Sequence, residues 1–150
     1  RKKHIYDEDI EALVDENIAT AQDRVRVLSL LVVAGTMGPQ VATLTLDIEG
    51  QHKTVQSSGN GPVDATFNAI HALLPHDAKL ALYQVHAVTE GTDAQAEVSV
   101  RLEDRKTGRL VTGKSADPDT LVASAKAYIV ALNKLTNEKA QGFHAQHVSL

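Results

Sequence analysis

The residues best placed to do chemistry stand at 57–65, Ser-Ser-Gly-Asn-Gly-Pro-Val-Asp-Ala. Gly59, Asn60 and Gly61 can all take positive φ, and the two glycines have no Cβ to hold a ligand off the backbone. Pro62 suits the first position of a helix, where its missing N–H has no intrahelical partner. The amides of the following turn would then point outward at the positive end of the helix dipole. Such a place can hold an anion, for instance the carboxylate of a small molecule. The same letters also suit a turn that only reverses the chain, and both readings stand on local chemistry alone.

The other reactive residue types do not assemble into a catalytic pattern. Of the seven histidines, His144 and His147 lie in an irregular tail without a third ligand, and His71 and His76 straddle Pro75. A protein-built metal site needs a carboxylate or cysteine at ligand spacing, and none is present. Ser57 and Ser58 lack a base at nucleophile spacing, and there is no Gly-x-Ser-x-Gly, no Gly-x-Gly-x-x-Gly and no P-loop. Asp7, Glu8, Asp9 and Glu11 read as a solvated helix start, and Asp104-Arg105-Lys106 as a charged hairpin tip.

The elements that must position the loop can be read from hydrophobic period. Residues 7–19 predict a helix with Asp7 as N-cap and a stripe of Ile10, Leu13, Val14 and Ile18. Residues 25–34 are apolar on both faces, as a covered central strand requires. Residues 41–49 alternate, with Leu44, Leu46 and Ile48 on one face, and a shorter strand follows around 53–56. The loop and a helix from Val63 to Leu74 come next, ended by Pro75. The order then repeats: strands at 79–88, 97–103 and 109–112, and a helix from Asp117-Pro118-Asp119 to about Leu135. Its stripe is Leu121, Val122, Ala125, Tyr128, Ile129, Leu132 and Leu135. The pattern is β-β-β-α written twice, with Val55 and Pro62 matched by Val111 and Pro118.

The fold expected is α+β: two β-β-β-α units packed as a pseudo-repeat, with a helical linker in front. Residues 1–22 form the linker and 23–136 the domain, divided into 23–76 and 77–136; residues 137–150 form a tail without clear period. The apolar content of both sheet faces exceeds what two helices cover, which predicts a homodimer. A net charge of −4 and a pI near 5.9 exclude a nucleic-acid footprint. The chain has no cysteine, so it has neither disulfides nor thiolate chemistry. Its longest apolar run, Val27 to Ala34, is too short to span a bilayer. The first residue is Arg, and the chain is expected to be a piece of something longer.

Several of these residues carry a family resemblance. Residues 58–65, the Tyr83-x-x-His86-Ala87 strand, and Ala123-Ser124-Ala125-Lys126-Ala127-Tyr128 with Ala131-Leu132-Asn133 resemble the C-terminal regulatory domain of 2-isopropylmalate synthases. Residues 3–9 are similar to those enzymes' linker. The regulatory domain of citramalate synthases, which senses isoleucine, is similar too, and a purely structural dimerisation module is the third reading. The first resemblance implies a cytoplasmic enzyme that condenses acetyl-CoA with 2-oxoisovalerate, the committed step of leucine synthesis. Its divalent metal would sit in a catalytic barrel outside this chain, which itself would hold no cofactor and no catalytic residue. It implies a homodimer that binds L-leucine as feedback inhibitor. Carried onto this chain, the ligand would lie by Gly59, Asn60, Gly61, Pro62, Val63, Asp64, Leu80, Tyr83, Ala87 and Ala116. In an ideal strand, however, Leu80 points away from Tyr83 and Ala87.

Overall fold

The structure is a computed structural model that describes residues 24–90 and 93–149, with side chains described for 24–88 and 94–136. The expected linker helix at 7–19 lies outside the described residues. Strands β1 (Val25–Val33), β2 (Gln40–Ile48) and β3 (Gln51–Gly59) form one antiparallel sheet in that order. Helix α1 (Pro62–Leu73) follows. Strands β4 (Ala78–Glu90), β5 (Asp93–Asp104) and β6 (Leu110–Asp117) form the second sheet, and α2 (Thr120–Ser149) closes the chain. The doubled β-β-β-α order is thus as read from the sequence.

Local chemistry sets the turns. Between β2 and β3 the residues with positive φ are Glu49 (54°) and Gly50 (88°), the pair a two-residue hairpin of the mirror type needs. Asp47 Oδ1 accepts from the Gly50 amide at 2.8 Å and secures it. The charged tip after β5 exposes Arg105 and Lys106, while Asp104 is almost fully buried and its carboxylate accepts from the Lys106 amide at 2.9 Å.

The helices lie between the sheets. α1 rests on β2 and β3, and α2 rests on β5 and β6 while also reaching β1. The two helices touch, and Phe67 of α1 meets Tyr83 of β4 edge-on at 5.8 Å and Tyr128 of α2 at 4.4 Å. Such ring contacts add about 0.5–1.5 kcal/mol to what burial alone contributes. Enclosure explains the composition of α2. Ala123, Ser124 and Ala125 are consecutive and all inaccessible to solvent, so the helix has no single apolar stripe of the kind expected. Small residues let β6 come close: a Cβ at Gly113 would run into the Ala127 carbonyl and lie 2.5 Å from the Ala131 nitrogen.

Ala42, Leu44 and Leu46 of β2 and Val98, Val100 and Leu102 of β5 all face this inner layer and are fully buried. The outer faces carry polar ladders, such as Thr45 to Thr54 at 2.8 Å and Arg26 to Asp47 at 2.9 Å. The Arg26 hydrogen bond, helped by the Gly50 amide, holds the Asp47 carboxyl below the usual carboxylate range. The layering leaves apolar surface uncovered, as the dimer argument expects: Leu80 and Val85 on the inner face of β4 are each 44% exposed, and Leu31 and Val33 of β1 are exposed on the outer face.

Several elements differ from the reading, β5 and β6 among them, since they extend well past the expected 97–103 and 109–112. β1 is an edge strand, not a covered central one, and its Leu31 and Val33 are each 62% exposed. β3 spans nine residues although its outer positions are polar, because β2 supplies every ladder partner. α2 runs on to Ser149, well beyond Leu135.

His76, in the connection between the halves, links them chemically. Its Nδ1 accepts from the Ala78 amide at 3.3 Å, so the ring proton sits on Nε2, 3.1 Å from the Tyr128 hydroxyl. Burial, and then the neighbouring His71, lower its pKa from the usual 6.5; Arg105 adds to this and Asp77 opposes it. Burial also pushes the Tyr128 hydroxyl up to about 12. A histidine held neutral in the fold binds a proton more readily once unfolded. Its stability contribution is therefore complete above the unfolded value and lost as pH falls through about 6.5 and below. Thermal unfolding should show a midpoint that drops between pH 7.5 and 5.5. The drop should shrink in His76→Asn, which keeps an acceptor for Ala78; an equal drop in both proteins would reject the assignment.

Candidate functional site

The loop at 59–64 is built by three local devices. Gly61 is the N-cap of α1, in extended backbone (φ −161°, ψ 173°), and Pro62 is the first helical residue. Asp64 lies in the first turn, and its Oδ2 accepts from the Asn60 amide at 2.9 Å, which folds the loop back onto the helix. Gly59 ends β3 beneath that turn: a Cβ there would lie 2.5 Å from the Ala65 nitrogen and 2.7 Å from Asp64 Oδ2. Positive φ is used by none of these three residues; among the described residues it occurs at Gly38, Glu49, Gly50 and Gly108. The glycines serve proximity instead. Gly59 lets the helix approach the strand, and at Gly61 a Cβ would meet nothing within 4 Å.

The two helix starts are chemically unlike. α2 is capped by Asp119, whose Oδ1 accepts from the Leu121 amide at 2.8 Å and the Val122 amide at 3.2 Å. A cap of this kind contributes about 0.5–2 kcal/mol. No side chain caps α1. Its amides at Val63 and Asp64 stand at the positive end of the helix without the carboxylate that α2 carries. The prolines also differ in role, since Pro118 precedes the cap of α2 whereas Pro62 follows that of α1.

β4 opens the second half, and a bulge decides what it presents. Leu80 pairs with Leu102, Tyr83 with Val100 and Ala87 with Ala96, while the register slips between Leu80 and Leu82. The extra residue, Ala81, turns Leu80 onto the same inner face as Tyr83 and Ala87. β1 has the matching slip between Val27 and Ser29, a part of the repeat that spacing alone did not reveal. Tyr83 is tied to α2 by its hydroxyl, 2.7 Å from Ser124 Oγ, and to α1 by Phe67, one turn beyond Val63. Leu80 is 44% exposed, and Ala87 is exposed as well.

Ala116 is placed elsewhere. It is exposed, pairs with Glu97 on the outer face, and β5 separates it from β4. Within one chain the structure joins Tyr83 to α1 through Phe67, puts Leu80, Tyr83 and Ala87 on one face of β4 and leaves Ala116 apart. Phe67 joins the group; its apolar helical spacing was legible, but only the fold puts it against Tyr83. Two cavities lie away from the loop. One of about 340 Å³ is bounded by Val25–Leu28, Ser115, Lys126, Ile129 and Val130. Another of about 280 Å³ lies between Arg24–Val25, Leu73–His76 and the Leu132–Thr136 part of α2. Among the described residues no three His, Asp or Glu side chains group as a metal site requires, and no helix is long and apolar enough to cross a membrane.

Comparison with known proteins decides the family. The sequence profile of the LeuA allosteric (dimerisation) domain matches residues 4–136. The chain belongs to this family. It is 70% identical over 149 residues to the 2-isopropylmalate synthase of Methylobacterium nodulans, covering 99% of this chain and 28% of that protein. It is 65% identical to the same-named protein of Methylorubrum populi, over all of this chain and 28% of that one. It is 64% identical to that of a Bradyrhizobium species, over 99% of this chain and 29% of the relative. The chain therefore spans less than a third of the length of these LeuA-domain relatives.

Proposed function

We propose that this LeuA domain is the leucine-sensing and dimer-forming part of a cytoplasmic 2-isopropylmalate synthase. L-leucine bound here would restrain the condensation of acetyl-CoA with 2-oxoisovalerate in leucine biosynthesis. The reaction and its divalent metal belong to a separate catalytic barrel. The family's description supports an allosteric role and pairing of two copies, and the names of the relatives support the enzyme.

The observation that carries the reading is the uncapped start of α1. Asp119 shows what a carboxylate does at the equivalent end of α2, and the Gly61 opening admits an external one to α1. Val63, Phe67 and Tyr83 offer apolar contact to a branched side chain, and Ala87 shares the face of Tyr83. Inhibition then follows if leucine binds better to the inactive arrangement of the whole enzyme. Calorimetric titration of the full-length enzyme with leucine, isoleucine and valine tests this. Leucine should bind tightest, with the others weaker by about 1–3 kcal/mol. Silence to millimolar leucine would sink the proposal, and a preference for isoleucine would assign the domain to the citramalate type.

A further inference from the structure

The leucine reading calls for acceptors for the ligand's ammonium group, and in the loop Asp64 is one such group, its Oδ2 accepting from the Asn60 amide. Gln40 offers another. It opens β2 directly opposite Gly59, and the alternation that buries Ala42, Leu44 and Leu46 puts its side chain on the same inner face. The first turn of α1 rests on Gly59, so Gln40 stands beside the start of that helix.

The amide of Gln40 is oriented. Its Nε2 donates to the Gly35 carbonyl at 3.0 Å, which leaves Oε1 as the acceptor. Oε1 is out of solvent and has no hydrogen-bond partner. A buried acceptor left unmade is costly, and a donor supplied by a ligand removes that cost. A neutral oxygen also suits its position, because a second carboxylate there would repel the carboxylate that the helix amides attract.

We infer that Gln40 Oε1 receives the ammonium group of the bound amino acid and makes the site selective for amino acids over carboxylates of the same carbon skeleton. This rests on the leucine reading above. Its consequence is functional: a 2-oxo acid, the class of compound the proposed reaction consumes, presents a carbonyl oxygen where Gln40 needs a donor. The sensor would thereby ignore the 2-oxo acid and answer to an amino acid.

The test uses the full-length enzyme, with L-leucine and with 4-methylpentanoate, which is leucine without its amino group. The unsubstituted enzyme should prefer leucine by about 10-fold or more. Gln40→Leu should lose about that factor for leucine and leave 4-methylpentanoate unchanged, and retained binding of the latter shows that the variant is folded. Gln40→Glu, which keeps an acceptor, should preserve the preference and serves if the leucine variant fails to fold. Leucine affinity within twofold of normal in Gln40→Leu, equal weakening of both ligands, or a folded Gln40→Glu without preference would overturn the inference and leave the leucine reading standing. Absence of leucine binding in the unsubstituted enzyme would remove both.

Discussion

Gly113→Val should unfold this domain more readily than any surface change, lowering its stability by about 3 kcal/mol, or roughly 6–12 °C in midpoint. The reason is backbone against backbone. A Cβ at 113 runs into the Ala127 carbonyl and approaches the Ala131 nitrogen to 2.5 Å and its Cα to 3.1 Å. No rotamer relieves a clash at Cβ, so α2 must lift from β6. That movement loosens Tyr128, and with it the Phe67 ring contact and the His76 hydrogen bond between the halves. Thermal unfolding followed by circular dichroism measures the effect. A midpoint within 2 °C of normal, on the scale where 1 kcal/mol moves it by about 2–4 °C, would show that the packing is looser than described.

Gly61→Val should do the opposite: keep the fold and remove the ligand. Gly61 has extended backbone that valine adopts readily, and a Cβ there meets nothing within 4 Å. The melting midpoint should stay within a few degrees. The branched side chain would instead stand in the opening to the Val63 and Asp64 amides. Leucine affinity should fall about 100-fold, which is 2.7 kcal/mol. Calorimetry on normal and substituted full-length enzyme decides the matter. A stable variant with normal leucine affinity would move the ligand away from this loop. The contrast with Gly59 is instructive, because there any Cβ strikes the Ala65 backbone and binding would be lost through misfolding.

Much of this was legible from the letters because it rests on short-range rules. Strand period placed Leu44 and Leu46, and Val98, Val100 and Leu102, on buried faces, as found. Pro62 after a glycine marked the helix start, and Gly50 marked a turn, one residue later than the Glu49-Gly50 pair that makes it. The repeat was visible because each half needs the same order of elements to bury its sheet. β1 was misplaced for a clear reason. A strand with Val27, Leu30 and Val32 inward and Leu31 and Val33 outward has the letters of a central strand, and only pairing reveals that it has one neighbour.

The sequence by itself determined the α+β class, the doubled order and the turn into a helix at 59–64, since period, turn chemistry and helix starts act over a few residues. Only the tertiary structure decided the rest. It put both helices between the sheets, which is why α2 is rich in alanine on all sides. It slipped one residue at Ala81, turning Leu80 to the face of Tyr83. It set Ala116 on the outer face and brought Gln40 beside Gly59, residues 19 positions apart that share one rung of the ladder. These are matters of register and of packing between distant segments, and nothing in the spacing of neighbouring letters encodes them.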